Sequence, residues 1–186
     1  MDLVTAQHRA LQATTSIVVN VGSDSFALPT PCEQFDVRTL INHMIAGNYR
    51  FLAVANGEPA ASVPAMGDFV DQDALGPYRE SADALAKGWS DPAALERTAR
   101  LPIGDVPGLV ALGVHTVETI AHGWDLAKAT GQPTEVDAEL CAVAWECAQG
   151  IDDSLRGPNG RFGPVIALPA GASATDSLVA WLGRQP

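Results

Sequence analysis

The sequence predicts an all-α protein, a bundle of four long helices followed by a short C-terminal segment. Apolar residues recur with the helical period of about 3.6 residues through most of the chain. The periodic segments are joined by short links rich in glycine and proline, which favour antiparallel neighbours. Hydrophobic residues make up 47% of the 186 residues, which is enough to bury the core of a single domain.

Aspartates predict where the first two helices begin. Asp2 is placed to act as the N-cap of a first helix that extends to about Val19. A loop rich in glycine, serine and proline follows. Asp36 is the predicted N-cap of a second helix, which extends to about Asn56 and ends before a glycine.

The rest of the chain is also predicted to be mostly helical. The segment ERTARLPIG is the exception, since it predicts a short strand or an extended connection. We expect a single domain over residues 1–186, with a Gly/Pro-rich appendage from about residue 156. The predicted helices of this part run from about Asp71 to Trp89, from near Pro107 to Gly131, from about Val136 to Leu155, and from a Thr175 cap to Gly183.

Charge and composition exclude several classes of partner. The formal net charge is −11, and only 11 residues are lysine or arginine. Nucleic acids and anionic membranes are bound through clustered basic residues, so we expect neither as a partner. The N-terminus lacks the pattern of a secretory signal, and no apolar segment is long enough to cross a bilayer. Cys32, Cys141 and Cys147 lack disulfide or metal-binding spacing, so we expect a cytoplasmic protein.

The fourth long helix carries an unusual row of polar residues. His115, Glu118, His122 and Asp125 fall within about one quarter of the helix circumference. A solvent-exposed face would contain lysine, arginine and glutamine, which are nearly absent here. We therefore expect this row to point into the bundle, where charged groups persist only when they are paired or bind a metal.

A third ligand is predicted on the second helix. His43 lies within an apolar stripe, and Glu118 and His122 are four residues apart on one helical face. Two histidines and one carboxylate with an open position are typical of a site that accepts a ligand, so we predict a metal site formed by His43, Glu118 and His122. Zinc is our first choice of metal, and nickel, iron and manganese remain alternatives.

Two neighbours of this site are predicted to assist catalysis. Asp125 is placed to orient His122 or to transfer a proton, and His115 either shares the proton transfer, binds the metal or lines the pocket. Arg161 and Arg184 are expected on the surface, with reach into the pocket as the alternative. A structural interpretation also stays open, in which the polar row is a buried hydrogen-bond network without metal.

Two segments of the sequence resemble a known family. PCEQFDVRTLINHMIAGNYRF is similar to the TPC-x-W-x-V-x-x-L-x-x-H segment of the DinB-like, mycothiol-dependent maleylpyruvate isomerase metal-binding domain. GVHTVETIAHGWDLAKATGQP resembles the second signature of that family, E-x-x-x-H-x-W-D-L-A. The resemblance implies an up-down-down-up DinB-like four-helix bundle with His43, Glu118 and His122 as metal ligands.

The resemblance also implies a class of reaction. The hypothesis is a metal- and thiol-dependent transferase or isomerase that acts on a small-molecule substrate with a low-molecular-weight thiol such as mycothiol. The alternatives are a hydrolase that uses metal-bound water and a non-catalytic protein that binds a metal or small ligand. The sequence leaves open whether the bundle forms a homodimer.

Overall fold

The computed structural model describes residues 1–151, 153–157 and 162–186. This part of the chain is mostly helical and contains one small antiparallel sheet. Its elements are α1 (Leu3–Val18), α2 (Val37–Ala55), α3 (Leu75–Trp89), α4 (Pro92–Glu96), β1 (Thr98–Leu101), β2 (Gly104–Pro107), α5 (Gly108–Ala129), α6 (Ala138–Ala148) and α7 (Ala174–Trp181).

The aspartate caps at the first two helices are confirmed. The side chain of Asp2 accepts a hydrogen bond from the backbone N–H of Thr5 at 3.0 Å, and Asp36 accepts one from Thr39 at 2.8 Å. These bonds satisfy donors that have no partner within the helix. The predicted starts of α1 and α2 are therefore within one residue of the observed starts.

Four helices enclose the main core. α1 packs against α5 and α3, and α2 packs against α3 and α5, so each helix has two neighbours. The largest fully buried side chains of this core include Leu40, Ile41, Leu85, Trp89 and Leu112. The prediction of a mostly helical fold is thus confirmed, and these contacts are consistent with a helical bundle.

α5 lies between two apolar clusters. One side of this helix faces the main core, and the other side, with Val117, Ile120 and Ala121, packs against α6 and α7. His115 and Asp125 are 3% and 0% exposed, so the polar row points inward as predicted. α5 is therefore covered on both sides, which explains why it has so few charged residues.

Three predicted boundaries are wrong. α3 begins at Leu75 rather than Asp71, because the Asp73 carboxylate accepts from the backbone N–H of residues 75 and 76 and caps the helix there. α6 ends at Ala148 instead of Leu155, two residues before Gly150. The cap of α7 is Ser173, which accepts from the N–H of Asp176. The Thr175 hydroxyl bonds to Glu135 instead.

The segment predicted to be a strand or extended connection forms a hairpin. β1 and β2 pair antiparallel, with Thr98 opposite Pro107 and Leu101 opposite Gly104. Gly104 has a φ of 114°, which side chains disfavour and glycine allows at the turn. The short helix α4, which precedes the hairpin, was not predicted.

The C-terminal segment returns to the bundle. α7 packs against α6, and the side-chain N–H of Trp181 donates to the carbonyl of Ala148 at 3.1 Å. Gly183 ends the helix with a φ of 84°, as its position in the sequence indicates. Arg161 lies outside the described residues. No helix in the described part of the chain is long and apolar enough to cross a membrane.

Candidate metal centre

Two of the predicted ligands face each other across the interface of α2 and α5. The imidazole centroids of His43 and His122 are 5.1 Å apart, and the rings are nearly perpendicular. On the other side of His43, the ring of Phe35 lies 5.0 Å away, centroid to centroid, and limits the movement of the imidazole. The packing of α2 against α5 thus brings together residues that are distant in sequence.

A small cavity, which we call the central cavity, opens beside these two rings. It has a free volume of about 20 Å³, enough for one water-sized group. Glu118, the third predicted ligand, lines the same cavity. The complete lining consists of His43, Met44, Gly47, Asn48, Tyr78, His115, Glu118, Thr119 and His122.

Asp125 fixes the orientation of His122. Its Oδ2 lies 3.1 Å from Nδ1 of His122. Because an ionised carboxylate can only accept hydrogen bonds, Nδ1 carries a proton, and Nε2 is the ring nitrogen that is left to bind a metal. A carboxylate behind a metal-binding histidine commonly has this role. The predicted orienting role of Asp125 thus has a direct geometric basis.

Arg184 contacts the same carboxylate from the C-terminal tail. Its Nε lies 3.2 Å from Oδ1 of Asp125, and its Nη2 lies 2.9 Å from Oδ2. The Arg184 side chain is only 10% exposed, so the expectation of a surface position is wrong. The cause is tertiary: the turn after α7 returns the chain to α5.

The ionisation states around the cavity suit metal binding. Burial, reinforced by the nearby His122 and Arg50, lowers the pKa of His43 to about 4, so the ring is neutral at neutral pH. Burial alone would raise the pKa of Asp125. The hydrogen bond from His122 and the charge of Arg184 outweigh burial and hold this pKa below its ordinary value. A neutral imidazole and an ionised supporting carboxylate are the forms that a bound cation requires.

The geometry of the histidine pair fits a divalent ion. Two imidazoles on one tetrahedral zinc, with Zn–N bonds of about 2.0–2.1 Å, place their ring centroids about 5 Å apart. The observed separation of 5.1 Å between His43 and His122 agrees with this value. Glu118 lines the same cavity, but His43, Glu118 and His122 are not among the described residues whose ligand atoms all lie within 4.8 Å of one another. The structure therefore brings the two histidines together and leaves the carboxylate farther away.

A second cluster of metal-binding residue types lies behind His122. Cys32, His122 and Asp125 each offer one side-chain ligand atom, and these three atoms lie within 4.8 Å of one another. Burial and the charge of Asp125 raise the pKa of the Cys32 thiol, which disfavours the thiolate that a metal needs. The Arg184 guanidinium also occupies both oxygens of Asp125. These two features disfavour a cation in this cluster, although its three ligand atoms lie close enough together to hold one.

His115 lies deeper in the bundle than the other two histidines. Its ring centroid is 4.5 Å from that of Phe51, and burial, followed by the proximity of His122 and His43, lowers its pKa to about 3. A Cβ built on Gly47 would lie 4.0 Å from Nε2 of His115. Because Gly47 has no side chain, the space at this position of α2 lies next to Nε2 of His115, on the side of the ring that faces the cavity.

The sequence did not point to Cys32 as a neighbour of the site, and a position of Arg184 near the pocket was only the alternative to a surface position. Cys32 stands in the loop before α2, within the first motif, and that position was the available signal. No local pattern marks Arg184, whose contact with Asp125 spans 59 residues of sequence. The residues of α2 and α5, including Asp125 behind His122, were therefore predictable, whereas Cys32 and Arg184 reach the site from other parts of the chain.

Comparisons with known proteins show the family of the chain. A protein of Mycobacterium tuberculosis described as uncharacterised, found in strains CDC 1551 / Oshkosh and H37Rv, is 34% identical over 188 aligned residues. The alignment covers 99% of this chain and 98% of the relative. No solved structure matches the chain. The family model of the mycothiol maleylpyruvate isomerase N-terminal domain matches residues 7–127, which include all three predicted ligands. The chain therefore belongs to the family of the mycothiol maleylpyruvate isomerase N-terminal domain.

Proposed function

We propose that the protein binds one divalent metal ion, with zinc as the first choice, through His43, Glu118 and His122. The metal serves a transferase or isomerase reaction between a low-molecular-weight thiol, such as mycothiol, and a small electrophilic substrate. The observation that carries the proposal is the pair of imidazoles, 5.1 Å apart, beside a cavity that Glu118 also lines. Membership of a mycothiol-related family supports the choice of thiol.

The metal would supply positive charge, which lowers the pKa of a thiol and stabilises the thiolate. The protein's own residues prepare for this step. His43 is neutral, and Asp125 holds the Nδ1 proton of His122, so both rings are free to bind through a lone pair. Arg184 keeps Asp125 ionised and oriented. In this scheme Asp125 is a positioning residue.

The size of the cavity limits what enters it. Its free volume of about 20 Å³ is enough for a metal ion or one other small group, and not for a whole thiol cofactor. The bulk of the thiol and its partner substrate would therefore lie outside the cavity. The substrate itself is small and is defined here only as an electrophile.

Hydrolysis by metal-bound water is a weaker alternative. It would require Asp125 as general base, because Glu118 is used as a ligand. Both oxygens of Asp125 are already bonded to Arg184, and one also accepts from His122. A non-catalytic role in binding a metal or small ligand remains the second candidate, since it needs the same three ligands.

Two finer features belong to the same proposal. Family membership supports the up-down-down-up order of the DinB-like bundle for α1, α2, α3 and α5. The three cysteines are all free thiols, which supports a reducing, cytoplasmic setting where small thiols are abundant. Whether two copies associate is a separate matter that size-exclusion measurements decide.

The test begins with metal content. Protein purified without added metal is reconstituted with zinc, and stoichiometry and affinity are measured by elemental analysis and chelator competition. We expect one zinc per chain, and His43→Ala should weaken binding by at least an order of magnitude. His8→Ala, on α1 and outside the cavity lining, is the matched control. Zinc that does not bind, or that binds equally to His43→Ala, would refute the site.

The second stage concerns the thiol. Zinc-loaded protein is titrated with mycothiol by calorimetry and then assayed with small electrophiles in the presence of the thiol. Binding with turnover supports the enzyme. Zinc binding without thiol binding would leave the non-catalytic candidate and remove the thiol-dependent one.

A further inference from the structure

A buried polar chain connects α1 to the wall of the central cavity. It consists of Gln7, Thr116, Thr119 and His115, all less than 9% exposed, with Gln7 completely buried. Gln7 is on α1 and the other three residues are on α5, so more than 100 positions of sequence separate Gln7 from each of them. A buried amide is retained only when its hydrogen bonds are satisfied, so the pattern of these bonds is informative.

The amide of Gln7 is oriented by the two threonines. The hydroxyl oxygen of Thr116 lies 2.5 Å from the terminal amide atom Oε1 of Gln7 and 2.8 Å from the carbonyl oxygen of Leu112. A contact of 2.5 Å is within the range of O–H···O hydrogen bonds and is too short for N–H···O, so the hydroxyl proton lies between Thr116 and Gln7 and Oε1 is the acceptor. Nε2 of Gln7 then donates to the hydroxyl oxygen of Thr119 at 3.4 Å. Thr119 uses its own proton on the carbonyl of His115 at 2.8 Å, so its oxygen is available to accept.

The same amide nitrogen determines how His115 is protonated. Nε2 of Gln7 lies 2.9 Å from Nδ1 of His115. An amide nitrogen has only protons to offer, so Nδ1 must accept. Burial keeps the ring neutral, with a single N–H, and that proton is therefore on Nε2.

The Nε2–H of His115 points toward the cavity. Nε2 faces the backbone of α2 at Gly47, where no side chain intervenes, and His115 lines the cavity together with His43 and His122. His122 differs, because the Asp125 carboxylate accepts a proton from its Nδ1. The neighbours of the two histidines on this helix thus act differently on Nδ1: Gln7 donates to it in His115, and Asp125 accepts from it in His122.

We infer that Gln7 is a positioning residue that fixes His115 as a neutral hydrogen-bond donor, which excludes His115 from the metal ligands and directs its N–H at an acceptor atom of the bound ligand. Under the proposed function, on which the identity of this acceptor rests, it is the thiolate sulfur or a substrate oxygen. The inference assigns different tasks to His115 and His122, which the sequence pattern alone could not separate.

The experiment reads the tautomers directly by long-range ¹H–¹⁵N NMR of the imidazole rings, on metal-free protein at neutral pH and without thiol. We expect His115 to show a protonated Nε2 and an unprotonated Nδ1, and His122 to show a protonated Nδ1. A proton on Nδ1 of His115 overturns the inference and needs no variant to be seen. Because neither metal nor thiol is present, the result is independent of the proposed function.

Variants test the role of Gln7 itself. Gln7→Glu offers Nδ1 an acceptor, so the proton of His115 should move from Nε2 to Nδ1 and the two nitrogen shifts should exchange. Gln7→Leu removes the donor and should leave a mixture of tautomers. Thr14→Val, at the same α1–α5 interface, is the control for loss of packing and should leave the tautomer unchanged. A folded Gln7→Leu protein that keeps the wild-type tautomer would show that Gln7 does not set it.

Discussion

Arg184 holds both carboxylate oxygens of Asp125, with Nε 3.2 Å from Oδ1 and Nη2 2.9 Å from Oδ2. Asp125 is completely buried, and the Arg184 side chain is 10% exposed. Since Oδ2 also contacts Nδ1 of His122 at 3.1 Å, the C-terminal tail is linked to a predicted metal ligand through one shared atom. The tail therefore supports one residue of the predicted metal centre.

Replacing Arg184 by methionine should damage both stability and metal binding. The substitution removes the charge while keeping a long side chain, and it leaves Asp125 buried without its cation. Breaking a buried ion pair in this way costs about 3–5 kcal/mol. Loss of a group that supports a metal ligand lowers metal affinity by about 10–100-fold. Urea unfolding of the metal-free protein and chelator competition for zinc measure the two effects.

Arg38→Met is the matched control for Arg184→Met. Arg38 pairs with Asp68, but the two side chains are 42% and 80% exposed, so the change should stay within about 1 kcal/mol. If the Arg184→Met protein bound zinc as tightly as the wild type, the C-terminal tail would not contribute to metal binding.

Gly47→Ala should stabilise the protein and impair ligand entry. Glycine inside a helix costs roughly 0.5–1 kcal/mol relative to alanine. A Cβ at position 47 would make only an ordinary contact, 4.0 Å from Nε2 of His115. The added methyl group would, however, occupy space in a cavity of about 20 Å³. We expect a higher melting temperature, unchanged zinc affinity and weaker thiol binding.

Gly108→Ala gives the contrast, because a Cβ there would overlap the backbone carbonyl oxygen of Ala94. Backbone cannot move aside as a side chain does, so this variant should lose about 1–3 kcal/mol of stability. If Gly47→Ala also destabilised the protein, the prediction would be wrong. The distance between α2 and α5 beside the cavity would then be shorter than in the structure.

The parts of the molecule that could be predicted are those encoded by neighbouring residues. The caps Asp2 and Asp36 and the helical period fixed the positions of α1 and α2 within one residue. The polar row on α5 was identifiable because charged residues on an otherwise apolar helix conflict with burial. His43 stood out in the same way on α2.

The missed features depend on contacts that no local pattern encodes. Gln7 meets His115 across 108 residues, and Arg184 meets Asp125 across 59. Both were indistinguishable in sequence from ordinary polar residues. α6 was predicted to be too long because its apolar period continues beyond Ala148, whereas the chain turns before Gly150. Tertiary packing decides each of these cases.

Cys32→Ala should leave zinc affinity within about twofold of the wild type. Cys32 lies in the cluster behind His122, where Asp125 is already bound to Arg184 and the pKa of the thiol is raised by burial. The same measurement on His43→Ala should show a large loss, because His43 lines the central cavity. The reverse ranking of the two variants would place the metal in the cluster behind His122. Chelator competition on both proteins, in parallel, decides between the two positions.

The metal-free protein should lose stability as the pH falls below about 6.5, and His115 should account for part of that loss. The folded-state pKa of His115 is about 3 and that of His43 about 4, both below the ordinary value of 6.5, because burial disfavours the charged ring. Between the folded-state pKa of each histidine and 6.5, the unfolded chain binds a proton that the folded chain does not. The free energy of unfolding therefore decreases as the pH falls through this range, and this contribution is present above pH 6.5.

Each of these histidines contributes a slope of at most about 1.4 kcal/mol per pH unit. The pKa of Asp125 is also lowered on folding, but its contribution is lost only near and below its ordinary value of 3.8, so the range from pH 6.5 to 5 isolates the histidines. His115→Gln should reduce the slope of unfolding free energy against pH in this range by the contribution of about one bound proton, and His43→Gln should do so independently. Chemical denaturation at several pH values measures this slope. Parallel curves for the wild type and His115→Gln would mean that the ring is protonated in the folded protein, contrary to its assignment as a neutral donor.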